Sequence, residues 1–254
     1  MKIIATIEAR LNSSRLPRKH LYKYRKKSFI EILIERAKKI NGISSIVLAT
    51  TTNNLDDDLV DIAIKNKIKF FRGSEDNVLK RICDIGRKYS ADAIVEISGD
   101  CPLIDFELIS QQVKTFKTNK PDLLIDSWNT IPKGLTAPIV KVKSLLKSQR
   151  LAKTKDDEEH VLNSLLDKPN KFNIIYFEPL EKDVAPKFEF LLDEYKDYLF
   201  LKEILKHDKK NEFVCYDLIS LLNKKKYILK INKNVNRISN SFHNKWIKKM
   251  KQIG

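Results

Sequence analysis

Strand-length apolar runs alternate with helix-spaced apolar residues through the first hundred positions, and this alternation constrains the fold more than any other feature. Residues 3–7, 45–50, 67–71 and 93–97 are short and rich in β-branched or aromatic side chains, so each reads as a strand. Between them, Phe29, Ile30, Leu33, Ile34 and Ala37 recur at a helical period. So do Leu59, Val60, Ile62 and Ala63, with Asn53, Asn54 and Asp56 as capping candidates. A third helix is expected over 78–89. Strand and helix in alternation predict an α/β fold with a mostly parallel sheet, helices on both faces and right-handed crossovers.

After residue 119 the alternation weakens. Pro121, Pro132 and Pro138 punctuate 120–142, and the short runs 123–125 and 139–140 there predict a small antiparallel or mixed insertion over the active face. A helix over 156–166, strands near 172–177 and 187–192, and helices over 195–206 and 216–222 complete the pattern. The expected division is one domain over 1–222 followed by a basic arm over 223–254. In that arm Ile228, Ile231, Val235, Ile238, Phe242, Trp246 and Ile247 are scattered among lysines.

A chain of 254 residues is long enough to bury a substantial core as one large domain. No apolar run reaches the length of a membrane span, and Met1 leads straight into a strand without room for a signal peptide. Cys83, Cys101 and Cys215 are an odd, widely spaced set, which fits reduced thiols in a cytoplasm rather than a disulfide frame or zinc site. The formal net charge of +16 raises a nucleic-acid reading. Its lysines are spread along the chain, however, and no helix-turn-helix, zinc finger or RNA-recognition aromatic pair accompanies them. Charge alone supports only non-specific attraction, and anionic nucleotide substrates would profit from the same field.

The first strand runs into Ala9-Arg10-Leu11-Asn12-Ser13-Ser14-Arg15-Leu16-Pro17-Arg18-Lys19. In open α/β sheets ligands bind beyond the carboxyl ends of the strands. A loop of small residues there, with exposed N–H groups and Arg10, Arg15 and Lys19, suits a polyphosphate, because guanidinium forks pair bidentately with phosphate oxygens. A solvated basic turn is the plainer alternative. Ser98-Gly99-Asp100-Cys101-Pro102-Leu103 follows the 93–97 strand and sets a carboxylate at the same edge, with backbone room for a ligand beside Gly99. Asp100 is either a Mg²⁺ ligand, since Mg²⁺ takes one or two carboxylates plus substrate phosphates, or an Asx-turn or helix cap. A second carboxylate is offered by Asp193, after 188–192, with an N-cap as its competing role.

These segments together resemble the sugar cytidylyltransferases: the CMP-Kdo synthetases, the acylneuraminate cytidylyltransferases and, nearest, the spore coat polysaccharide protein F group. The resemblance rests on A-R-x-x-S-[ST]-R-L-P-x-K at 9–19, T-T-x-N at 51–54, F-R-G-S-E-D at 71–76, G-D-x-P-L at 99–103, E-H-V at 159–161 and an Asp193–Asp197 pair. It covers roughly residues 1–205 and implies a Rossmann-like nucleotide-diphospho-sugar transferase fold. It further implies that CTP activates a sugar, an acidic nonulosonate-like one, giving a CMP-sugar and pyrophosphate for surface polysaccharide synthesis.

On that reading Arg10, Arg15 and Lys19 hold the triphosphate, and Asp100 and Asp193 carry Mg²⁺. Ala9, Ser13, Thr51, Arg72, Ser74, Gly99 and His160 bind substrate. Asp197 is expected to cap or face solvent, and no residue is assigned as general base. A homodimer is implied by some relatives only.

The chain also departs from the pattern. Thr136-Ala137-Pro138 stands where the relatives carry acids near the acceptor, and Asn12 and Arg18 replace small residues in the nucleotide loop. Two other readings remain open at this point: a transferase using another nucleoside triphosphate, and a basic binding protein of the same fold without activity.

Overall fold

A computed structural model describes residues 1–127 and 130–235. In chain order the elements are β1 (Ile3–Glu8), β2 (Lys23–Tyr24), β3 (Lys27–Ser28), α1 (Phe29–Ala37), β4 (Ser45–Thr51), α2 (Asp57–Lys65), β5 (Lys69–Gly73), α3 (Val78–Lys88) and β6 (Ala93–Ser98). They continue with α4 (Phe106–Asn119), β7 (Leu123–Asp126), β8 (Ile139–Lys141), α5 (Val142–Leu151), α6 (Lys155–Glu159), α7 (Asn163–Leu166), β9 (Ile174–Phe177), α8 (Tyr195–Leu205) and α9 (Cys215–Lys224).

Seven strands form the central sheet in the order β5-β4-β1-β6-β8-β7-β9, and β2 and β3 make a small antiparallel hairpin outside it. β1 lies parallel between β4 and β6, with Ile7 opposite Leu48 on one side and Ile97 on the other. A central parallel strand is covered on both faces, which is why β1 is almost wholly apolar. Only β8 runs antiparallel to its neighbours, β6 and β7. The mixed segment expected over 120–142 therefore enters the sheet itself.

Strand side chains alternate between faces, and two cores follow from that alternation. Ile3, Ala5 and Ile7 pack with α1, α2, α4, α8 and α9, whereas Ile4, Val47 and Ile94 pack with α3, α5 and α7. The α1 helix begins in a capping box in which Ser28 and Glu31 exchange hydrogen bonds.

Some expectations change in the folded chain. The apolar spacing assigns neither α4 nor α5; α4 is capped by Asp105, whose carboxylate accepts from the amides of Glu107 and Leu108 at 2.8 and 2.9 Å. The single helix expected over 156–166 is two short ones, because His160 takes an extended conformation. Residues 187–192 are not a strand; their one sheet-like pairing is an isolated bridge between Lys133 and Glu189. In the 223–254 segment, Ile228 is buried in the core, while Ile238, Phe242, Trp246 and Ile247 lie outside the described residues. Cys83, Cys101 and Cys215 are buried free thiols. Among the described residues no helix is long and apolar enough to cross a membrane.

Candidate active site

The 9–19 loop is anchored before it can bind anything. Leu11 and Leu16 are buried pegs, and the Arg18 amide donates to the Leu11 carbonyl at 3.0 Å, closing the loop on itself. Asp56 secures the near end. It accepts from the Leu11 amide at 2.8 Å, from Thr50 Oγ1 at 3.0 Å, and from both the amide and hydroxyl of Thr51. Burial pushes the Asp56 carboxyl up, but the hydrogen bonds from Thr51, Leu11 and Thr50 outweigh it and hold the group below its ordinary range. Arg18 takes a left-handed conformation at φ 56° and pairs with Asp58. A left-handed non-glycine residue costs about 1–2 kcal/mol, so the substitution noted in the sequence is strained where Asn12 is not.

At the far end of the loop Lys19 is buried, with its ammonium 2.7 Å from Asp100 Oδ2 and 3.0 Å from Asp193 Oδ1. Arg15 approaches the same Asp193 oxygen at 3.2 Å. The two acids are 93 positions apart in the chain and are joined by the backbone, for the Leu192 amide donates to the Asp100 carbonyl at 2.8 Å. Asp197 caps α8 by accepting from the amides of Asp193 and Glu194 at 3.1 and 2.9 Å, which sets the direction of the Asp193 side chain. Beside Asp100 lies the buried ring of His20, its Nε2 3.7 Å from Asp100 Oδ1. Burial lowers the His20 imidazole below the ordinary histidine range even though Asp100 pulls the other way.

A cavity of about 630 Å³ lies at the carboxyl ends of β1 and β6, with Ala9, Arg10, Ser13, Arg15, Lys19, His20 and Asp100 on its wall; Asp193 is not on that wall and adjoins it through Lys19 and Arg15. Glu159 and His160 also line it, with His160 Nε2 3.5 Å from Asp156 Oδ1.

Four residues expected at the substrate are placed elsewhere. Thr51 is fully buried and serves Asp56. Arg72 uses its guanidinium on the carbonyls of Thr51 and Asn53 and on Asp57, at 2.6–2.8 Å. Ser74 accepts from the Asn77 amide at 3.0 Å, and Asn77 in turn caps α3. The space beside Gly99 is filled by the chain itself, since a Cβ there would meet the Glu8 carbonyl at 2.6 Å and His20 at 2.9 Å. Gly99 thus allows close packing of β1 against the Asp100 turn instead of approach by a ligand.

Other residues at the cavity were not singled out by the sequence reading. Besides His20, Glu8 and Arg81 line it, and Glu96 is hydrogen-bonded to Glu8. The available signal was an acid at the end of one apolar strand and within another. Burial, against the pull of Arg81, pushes the Glu8 carboxyl up to about 7 from its ordinary value of 4.5.

Between those values the folded chain binds more protons than the unfolded one, so stability falls as pH rises, by at most about 1.4 kcal/mol per pH unit from this group. Glu8→Gln is expected to flatten that decline between about pH 5 and 7, read from thermal denaturation at each pH. An unchanged slope would mean that Glu8 ionises normally in the fold. Thr136, at the position where the sequence departs from its relatives, hydrogen-bonds Asp126. Burial pushes that carboxyl up to about 6.

Comparison with known proteins bears on this arrangement. A family model described as cytidylyltransferase matches residues 4–239. An uncharacterized protein from Methanocaldococcus jannaschii is 36% identical over 239 residues, covering 94% of this chain and 98% of that protein. The spore coat polysaccharide biosynthesis protein SpsF of Bacillus subtilis is 27% identical over 87% of this chain and 94% of its own. Among solved structures, a cytidylyltransferase from Leptospira borgpetersenii superposes with a TM-score of 0.87 at 28% identity, over 93% of this chain and all of that one.

Proposed function

This chain belongs to the cytidylyltransferase family, and from that premise we propose that it transfers the cytidylyl group of CTP to a sugar, releasing pyrophosphate. The observation that carries the reading is the Lys19 ammonium held between Asp100 and Asp193 beneath a cationic loop. Arg10, Arg15, Lys19 and Asp100 line one cavity, and Asp193 pairs with Lys19 and Arg15; together they offer charge for a polyphosphate and oxygen ligands for a divalent ion.

In this reading a sugar hydroxyl attacks the α-phosphorus in line, and pyrophosphate leaves toward Arg15 and Lys19. Arg10 and the Ala9–Ser13 backbone orient the nucleotide. Positioning and charge neutralisation supply most of the acceleration in such transfers. Asp100 and Asp193 would hold Mg²⁺ beside the Lys19 ammonium, since both carboxylates lie within 3.0 Å of that one nitrogen and are therefore neighbours. Among the described residues no cluster of three or more His, Cys, Asp or Glu side chains forms a closed metal cage. Two carboxylates with phosphate and water completing the shell are what Mg²⁺ ordinarily accepts. When bound, it would neutralise phosphate charge and polarise the α-phosphate. The product would be an activated sugar of the kind used to build surface polysaccharide.

The direct test is pyrophosphate release with Mg²⁺, a panel of sugars and each of the four nucleoside triphosphates. Turnover with CTP alone supports the proposal, and a preference for another triphosphate replaces it. No turnover together with salt-dependent nucleic-acid binding would favour a binding protein. Arg15→Ala should weaken CTP binding about 10–100-fold, the loss of one charge-assisted contact of 1.5–3 kcal/mol. Its melting temperature should stay near that of the parent, since the side chain is partly exposed. A lowered melting temperature with unchanged CTP affinity would make Arg15 a structural residue.

A further inference from the structure

On the face of the sheet under α3, β1 and β6 change character along their length. Their register sets Ile4 beside Ile94, Thr6 beside Glu96, and Glu8 beside Ser98. Side chains two apart share a face, and Ile4 and Ile94 belong to the α3-side core. An aliphatic floor therefore becomes a strip of Thr, Glu and Ser where the strands end at the cavity. Ser98 stands two residues before Asp100, so the strip adjoins the place where the α-phosphate would lie. A strip of this kind is costly in a core and is not needed for packing.

Arg81 reaches over the strip from α3. It is 3% exposed, and one guanidinium N–H goes to the Ser74 carbonyl. Its Nε has no partner among the described residues, and neither has Glu8 Oε1 or Thr6 Oγ1. The arginine's charge is already faced by Glu8. Two carboxylates in contact do not both ionise readily, and burial raises both Glu8 and Glu96. Unpaired donors and acceptors in one cluster are matched by a hydroxyl, which can both give and take a hydrogen bond. A carboxylate can only accept, so it would leave the acceptor Glu8 Oε1 without a donor. Glu159 is a further acid among the cavity's lining residues.

We propose that Glu8, Glu96 and Arg81 form the subsite that reads the acceptor, and that the acceptor presents hydroxyls to it, not a carboxylate. This rests on the cytidylyl-transfer reading and departs from the acidic sugar that the family resemblance implies.

The test uses a matched pair of acceptors, a 2-keto-3-deoxy sugar acid and its carboxamide, with CTP and Mg²⁺ and pyrophosphate release as the readout. Wild-type kcat/KM should favour the amide by about 10-fold or more. Glu8→Gln with Glu96→Gln should shift that ratio toward the acid by about 10-fold, and Glu8→Gln alone should shift it in the same direction. CTP affinity, measured by calorimetry without acceptor, should not change in either variant. Preference for the acid, turnover of neither compound, or variants that alter CTP affinity and leave the ratio alone would each overturn the assignment. A wild-type chain that fails to bind CTP would overturn the cytidylyl-transfer reading, and this one with it.

Discussion

Asp100→Asn is expected to lower kcat by about 10²–10⁴-fold, or ~3–5 kcal/mol in transition-state stabilisation. The amide matches the carboxylate in size, and its neighbours Lys19, His20 and the Leu192 amide keep their places. What is lost is one of two negative charges that converge on a single point. An amide is a poor ligand for Mg²⁺, and it leaves Lys19 paired with Asp193 instead of balanced between two acids. The Mg²⁺ concentration needed for half-maximal activity should rise, while CTP affinity without Mg²⁺ should stay level or tighten, because a negative charge near the phosphates has gone. Turnover near the parent value would show that Asp100 is a structural cap.

Lys19→Met should show a larger effect on the folded state. The ammonium is 7% exposed and lies between two carboxylates that are themselves 31% and 10% exposed. Removing one partner of a buried ion pair leaves uncompensated charge and costs about 3–5 kcal/mol. For a domain of this size that is a fall of roughly 10 °C in melting temperature. On the proposed reading activity should fall by at least ~10²-fold, because the cation assigned to the leaving pyrophosphate is lost with the loop anchor. Millimolar Mg²⁺ should raise the melting temperature of this variant more than that of the parent, since the freed carboxylates would then share a cation again. Equal responses to Mg²⁺ in the two proteins would argue against a metal site at this pair, and an unchanged melting temperature would contradict the buried bridge.

Much of the fold was legible because its signals are local. Strand-length apolar runs and helical spacing found β1, β4, β6 and α1 to within a residue or two, since each is a short stretch with one or two faces to bury. The spacing missed α4, although Leu108, Ile109, Val113 and Phe116 fall on a buried helical face. Polar residues between them masked the pattern, and the Asp105 cap was passed over for Asp100. The strand expected at 187–192 failed for a different reason. Alternating aromatic residues there pack into the core, but no neighbouring strand is placed to complete a ladder.

The same division runs through the candidate site. Arg10, Ser13, Arg15, Lys19 and Asp100 share one loop or strand edge, so their convergence on one cavity followed from the order of the chain. Thr51, Arg72 and Ser74 belong to equally good motifs, yet Thr51 and Arg72 hold the loop's supports in position and Ser74 braces the start of α3. Which polar side chains face a cavity and which brace it depends on hydrogen-bond partners distant in sequence.

By itself, then, the amino-acid order determined a mostly parallel α/β sheet and a basic loop at the carboxyl edge of its first strand, because propensity and periodicity act over a few residues. Only the tertiary structure decided that one lysine joins Asp100 and Asp193 and that Glu8 and Glu96 share a floor beneath Arg81. Those relations arise from strand register and from backbone contacts spanning tens of residues, and no local pattern encodes either.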